Sequence, residues 1–386
     1  MTEIMAAGAR TPQSPSRRQK EAKREGMLDR RRFIGSSALG GAALLLGGCS
    51  YDPTAYQAAV AEMTRPLPVN PDFRELVRYA TLAANGHNTQ PWTFRLQERG
   101  IDILPDFTRR TPVVDPDDHH LFASLGCAAE NLAIAAKARG MAGDVIFESI
   151  GQGHISVDLS PAPREETGLF AAIPARQCSR AAYDGKAVPG AILDRLPLAA
   201  KRYAVETILL TDDKSREDIL ALVIEGNSRQ MDDPAFLAEL KHWIRFNPGH
   251  ALAAGDGIYS ATSGNPELPR WIGAPLFDLF FDKDSENDKY AAQIRSSAGV
   301  AVFVARTDDR EGWFNAGRAY QRFALQATAD GLKQAFVNQA VEVPAVRGEL
   351  QTLLRIGGRR PNLVVRFGYG PRLPKSLRRP LEAVIA

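Results

Sequence analysis

The chain has 386 residues and 44% apolar content, enough to bury a large core in one big domain or two fused halves. Its net charge of +3 is unevenly placed, since residues 1–49 hold nine Lys/Arg against four Asp/Glu and the remainder is slightly acidic. That distribution argues against a clustered basic face of the kind that binds nucleic acid. Three cysteines, Cys49, Cys127 and Cys178, are too few for a disulfide framework, and the last two are expected as reduced thiols.

In chain order, residues 1–26 are polar and rich in charge, Pro and Ser. They read as disordered, or as lying upstream of a start at Met27. Asp29-Arg30-Arg31-Arg32-Phe33-Ile34-Gly35 resembles a twin-arginine (Tat) export signal. The apolar run Ser36 to Gly48 is too short to cross a bilayer, which needs about 20 helical residues, and suits a signal-peptide core. Leu46-Gly47-Gly48-Cys49 resembles a lipobox, with Cys49 as the lipidation site and possible membrane anchor. These resemblances make 1–49 a signal region, the Tat translocase a partner, and the destination periplasmic or otherwise extracytoplasmic. The Tat route carries folded proteins, often already loaded with a cofactor.

Residues 50–70 read as a tether ending in Pro66-Leu67-Pro68. Phe73, Leu76, Val77, Ala80 and Ala84 share one helical face, with Gly86 as a terminator. Thr93–Leu96 and Ile101–Leu104 alternate as a hairpin, Leu125–Gly140 is an apolar helix, and Val145–Phe147 and Ile155–Val157 are strands. His119-His120, after Asp115-Pro116-Asp117-Asp118, has poor spacing for a metal and reads as solvated loop; no metal site is expected. Gly126 to Gly140 and Gly317 to Gly331 repeat one pattern, an Ala-rich helix between glycines 14 apart. The pattern suggests two related halves, 71–165 and 166–386. About 242–289, rich in Gly, Pro and aromatics, reads as a lid inserted in the second half.

Ala83-Ala84-Asn85-Gly86-His87-Asn88-Thr89-Gln90-Pro91-Trp92-Thr93-Phe94 resembles the helix–loop–strand of nitroreductase-like FMN-dependent oxidoreductases. Small residues there let backbone approach a flavin ring. Ala84 and Asn85 stand where the family usually has Pro and Ser. Arg176-Gln177-Cys178-Ser179-Arg180 resembles the family's opening R-x-S-x-R, with Cys178 for the usual Ser. Two arginines four apart can converge on a phosphate. Gly368-Tyr369, the Pro-rich stretch after it and Arg378-Arg379-Pro380-Leu381-Glu382 resemble the family's closing motif, which adds Arg378. Phe336-Val337-Asn338-Gln339 matches the segment that meets the flavin edge, through Asn338.

The resemblance therefore implies an α+β nitroreductase-like fold, each half a mainly antiparallel sheet flanked by helices, fused as in the Acg-like branch. It implies one FMN per chain at the junction, held by Asn85, Gly86, His87, Asn88, Gln90, Arg176, Cys178, Arg180, Asn338 and Arg378, with a Trp-bearing turn over the ring. The expected state is a monomer that is an internal pseudo-dimer. The flavin carries the chemistry, so no catalytic side chain is expected. The expected activity is reduction of a small nitro, quinone or related acceptor. The alternatives are an FMN-sequestering protein without turnover and an anchored scaffold with a vestigial site.

Overall fold

The computed structural model describes residues 53–386, so the signal region and Cys49 lie outside the described residues. The described residues open with α1 (Pro53–Thr64), where a tether is expected. Tyr56 and Leu67 are buried and Met63 packs on the core. The apolar side chains of this stretch find partners on the body, which makes it a docked helix. Next, α2 (Phe73–Thr81) begins where Asp72 accepts from the Glu75 N–H at 2.9 Å, an N-cap that satisfies an orphan donor. It ends at Leu82, before Gly86, which instead opens a 3-10 turn over Gly86–Asn88.

Two four-stranded antiparallel sheets follow. The first holds β1 (Trp92–Leu96), β2 (Gly100–Pro105), β3 (Val145–Glu148) and β4 (His154–Asp158). The second holds β5 (Val205–Leu210), β6 (Gly299–Ala305), β7 (Lys333–Phe336) and β8 (Pro361–Gly368). Taken in chain order within its half, each sheet has its first strand beside its second, then its fourth, then its third. Each half also places one long helix between its second and third strands: α3 (His119–Ala138) and α5 (Arg310–Ala329), with α4 (Asp213–Met231) lying between them in sequence. The fold is α+β.

The two long helices pack on each other through the glycines of the sequence repeat. A Cβ on Gly126 would lie 2.0 Å from the Phe314 carbonyl oxygen, and one on Gly317 would lie 1.9 Å from that of Ala123. Each glycine thus meets the residue three before its counterpart, a reciprocal contact that only glycine permits. The Cys127 thiol donates to the Gly317 carbonyl at 3.2 Å. Glu130 is buried across the same seam, accepting from Arg318 at 2.9 Å, Arg322 at 2.8 Å and Tyr203 at 2.5 Å.

The halves differ in how their sheets are covered. In β6, Ala301, Phe303 and Ala305 face the core shared with both long helices. Val300, Val302 and Val304 face a second cluster built with Ile219, Leu220 and Val223 of α4. A strand buried on both faces reads as a continuous apolar run, whereas β4 alternates with a solvated face. The cover comes from the β5–β6 connection. Residues 211–298 stand where the first half has a short turn between β1 and β2, so the insertion starts well before 242. The chain finally returns to the first sheet: Val384 accepts from the Phe94 N–H at 2.7 Å, and the Ala386 N–H donates to Phe94 at 2.8 Å.

Candidate functional site

Two adjoining cavities lie where the loop after α2, the segment 173–180, the insertion and the segment 371–378 meet. The wider has a volume of about 210 Å³ and the narrower about 80 Å³. Asn85, Arg180, Ile258 and Phe336 line both, so they form one cleft with a waist.

The loop after α2 is backbone-strained. His87, Asn88 and Gln90 all have positive φ, 48°, 54° and 54°, which non-glycine residues hold only when their surroundings over-determine them. The determinants are visible. Asn85 Oδ1 accepts from the Gln90 N–H at 2.9 Å, and the Gly86 N–H donates to Ser124 Oγ of α3 at 3.3 Å. Asn88 Nδ2 donates to the Gly257 and Leu377 carbonyls at 3.0 Å each, and its Oδ1 accepts from Arg378 at 2.9 Å. Gln90 is fully buried, donating to Gly255 at 2.9 Å and accepting from the Arg379 N–H at 2.8 Å. Asp256, between those glycines, pairs with both Arg109 and Arg245. The insertion is therefore pinned to the loop as a fixed roof.

The narrower cavity is cationic. It is lined by Arg176, Arg180, Lys375 and Arg378 and by no carboxylate. Arg176 is 6% exposed; one amino group donates to the Leu82 carbonyl at 3.1 Å, while Nε and Nη1 are buried without a partner. Buried donors are almost always satisfied, and an unpaired buried charge is costly, so this cradle suits an anion. Burial and the neighbouring Arg176 push Arg378 down to about 9. Burial, Arg176 and Arg378 push Lys375 down to about 7. The loop that carries Arg176 and Arg180 is held by Arg366 of β8, fully buried, whose guanidinium donates to the Ser179 and Ala181 carbonyls at 3.1 and 2.8 Å and stacks on Tyr183.

The wider cavity is mixed in character. Gly86, His87 and Ser124 form one wall, Phe336 and Asn338 another, and residues of the insertion, including Phe236, Ile258 and Phe281, the roof. Burial, Arg180 and His120 hold the His87 imidazole down to about 4, so it is neutral. Asn338 Oδ1 accepts from the Val364 N–H at 2.8 Å, which fixes its side chain at the cavity edge. Burial pushes the Cys127 thiol up to about 12, so it is no nucleophile.

The cleft brings together Asn85, Gly86, His87, Asn88, Arg176, Cys178, Arg180, Asn338 and Arg378 from the sequence-derived set. Gln90 lines neither cavity; it ties the loop to the insertion and to Arg379. Arg378 lines the narrow cavity, but its donors are spent on Asn88 and on the Thr81, Leu82 and Ala83 carbonyls at the end of α2. It contributes charge there, in place of an open fork. Trp92 is fully buried in the core and lines neither cavity, so no tryptophan turn covers the cleft. Lys375 was not anticipated, since a lysine in a Pro-rich stretch reads as solvated. His119 and His120 also depart from expectation. They open α3, with His119 buried and bonded to Asn362 at 3.1 Å, because Asp115 accepts from the His120 and Leu121 N–H groups and starts the helix early. Those bonds commit Asp115 and His119, the two residues grouped with His120 that could suit a metal.

Fold and cleft together define a two-sheet α+β protein with an anion cradle opening into a half-apolar chamber at the junction of its halves. No family model matches the chain. Its sequence is nitroreductase-like over most of its length. A protein of Mycobacterium tuberculosis named "Putative NAD(P)H nitroreductase" is 26% identical over 340 residues, covering 84% of this chain and 94% of that protein. A second from the same organism, acg, bearing the same description, is 22% identical over 326 residues, covering 81% and 94%. Among solved structures, the FMN-dependent nitroreductase NfnB of Mycobacterium smegmatis in complex with NADPH aligns with a TM-score of 0.37 at 13% identity, over 56% of this chain and 96% of that one. A nitroreductase with bound FMN from Bacteroides fragilis aligns at 0.32 and 17% identity, over 53% and 90%.

Proposed function

We propose that the protein is an FMN-dependent oxidoreductase that reduces small nitro, quinone or related acceptors. The observation that carries this reading is Arg176, a buried guanidinium with unpartnered donors among four cations and no carboxylate. The terminal phosphate of FMN is a dianion near neutral pH and completes that cradle. Arg176 and Arg180 hold it directly, Cys178 lines the same wall, and Lys375 and Arg378 add charge. The ring then occupies the wider cavity, against Asn85, Gly86, His87 and the edge at Asn338, and supplies the electron transfer. Asn88 and Gln90 act as braces of the loop.

Binding of FMN and of riboflavin, which lacks the phosphate, tests this directly. FMN is expected to bind on the order of 100-fold more tightly, by analogy with other charged hydrogen-bonding groups that a site is built to hold. Arg176→Met is expected to shrink the difference while raising the melting temperature of the flavin-free protein, because it removes an uncompensated buried charge. Equal affinity for the two flavins would sink the proposal.

The reciprocal glycines and matching strand orders support two fused, related halves, a monomer that contains its own pseudo-dimer. The leader sequence supports Tat export and lipidation at Cys49, checked by fractionation and by the mass of the mature N-terminus. Export separates the protein from cytoplasmic nicotinamide donors, and the pinned roof over both cavities favours a second reading, FMN sequestration without turnover. Anaerobic reduction with nicotinamide and quinol donors decides between them. A flavin that none of these reduces would favour sequestration.

A further inference from the structure

We propose that His120, backed by Glu342, delivers the proton that accompanies reduction of the acceptor in the wider cavity; this rests on the flavin reading above. His120 stands in the first turn of α3, its side chain 11% exposed, and lines the wider cavity. Its Nε2 is buried with no hydrogen-bond partner. Its Nδ1 lies 3.8 Å from Glu342 Oε1, just beyond hydrogen-bond reach, so a small side-chain rotation closes the contact. Glu342 is oriented by Gln230, whose amide donates to its other oxygen at 2.7 Å. All three line the same cavity and come from three separate helices, α3, α4 and the short helix Gln339–Glu342.

Three other titratable groups of that cavity are less suited. The neutral His87 resists protonation, the Cys127 thiol is bonded to a carbonyl, and Lys289 is tied to Glu286 at 3.5 Å. The groups around His120 set its resting state. Burial and the cations Arg360 and Arg347 hold the imidazole neutral, against the pull of Glu342 and Asp117. Burial, with Asp115 and Glu239 nearby, raises Glu342, against His120 and Gln230. The His119 ring lies 4.7 Å away and is itself held neutral. Both directions favour the neutral forms, imidazole for His120 and carboxyl for Glu342. In that form the Glu342 proton serves Nδ1, and the N–H is left on Nε2, the unpartnered nitrogen of this cavity-lining residue.

The step balances. Bound in the cleft, a reduced flavin would supply two electrons and one hydrogen nucleus, as hydride, to a quinone or nitro acceptor. The acceptor oxygen takes the Nε2 proton as Nδ1 takes the carboxyl proton of Glu342. The N–H bond at Nε2 and the O–H bond of Glu342 break, an O–H bond on the acceptor and an N–H bond at Nδ1 form, and the negative charge ends on Glu342. Water then returns the proton, and the imidazole reverts to its starting tautomer.

The test uses holoprotein reduced with dithionite, then mixed with menadione, which needs protons, or ferricyanide, which takes single electrons and needs none. Loss of a positioned general acid is expected to slow menadione on the order of 100-fold in His120→Gln and in Glu342→Gln, with ferricyanide unchanged. Nitrogen-15 NMR of histidine-labelled protein, with His120→Gln as the assignment, is expected to show the Nε2–H tautomer through neutral pH. Loss of both reactions together, retention of both, or an Nδ1–H tautomer overturns the inference. Protein that binds no FMN overturns the flavin reading first, and is recognised by its colourless spectrum.

Discussion

Lys375 makes the cation cradle sensitive to pH in a way that can be worked through. In the flavin-free protein its ammonium is held to about 7 by burial and by Arg176 and Arg378, well below its ordinary 10.5. The FMN phosphate, with a second pKa of about 6, is a dianion above neutrality and reverses the sign of that neighbourhood. Binding then requires the lysine to be charged. Between pH 7 and pH 8.5 the charged fraction falls from about one half to about 3%, so the affinity should weaken on the order of 15-fold, about 1.6 kcal/mol. Flavin fluorescence quenching gives the affinity. Calorimetry in two buffers of different ionisation enthalpy should show uptake of roughly one proton per FMN at pH 8.5. Lys375→Met should bind more weakly at pH 7 and lose most of the slope. A flat wild-type profile, or the same slope in Lys375→Met, would refute the reasoning.

Gly126→Ala and Gly317→Ala should each cost about 3 kcal/mol or more, because both place a methyl group within 2.0 Å of a carbonyl oxygen of the opposite helix; thermal unfolding of both variants checks it, and a small loss in either one breaks the reciprocity. Glu130→Gln should destabilise the helix seam by about 2–3 kcal/mol by leaving the half-buried Arg318 and Arg322 without a counter-charge. Burial works to raise this carboxyl, but Arg318 and Arg322 prevail and hold it below its ordinary 4.5. Its contribution is therefore full above about pH 4.5 and lost as pH falls through the lowered native value, so the variant should show less acid sensitivity in denaturant titrations. Arg366→Met should free the Ser179 and Ala181 carbonyls, seen as faster hydrogen exchange across 176–183 together with weaker FMN binding; protection unchanged there would deny Arg366 its clamping role.

The features legible in the sequence were those written locally. Alternation placed β1 to β4, and the glycines 14 apart located the helix seam. The arginines four apart and the loop from Asn85 to Gln90 located the cleft through their resemblance to the nitroreductase motifs, because each is short and contiguous in sequence. What stayed hidden depends on distant partners. Arg378 spends its donors on the end of α2, nearly the whole described chain away, and nothing near residue 378 signals those carbonyls. Helix α1 looks like a tether because its apolar residues are mostly alanines, with few large side chains beside Tyr56, Val60 and Met63. The His120–Glu342–Gln230 cluster comes from three elements whose meeting only the tertiary fold decides. The insertion was located by its aromatics, yet its first helix, with an ordinary amphipathic face, blends into the half that it roofs.

The pairing of residues 384–386 with Phe94 has a consequence for biosynthesis. During translation the first sheet emerges early, with Phe94 exposed and one edge of β1 unmatched until Val384 arrives. Arg378 and Lys375 come just before that closing stretch, so the anion cradle and the open edge are completed by the same late segment. A product truncated before that segment would carry both a raw sheet edge and an incomplete cradle.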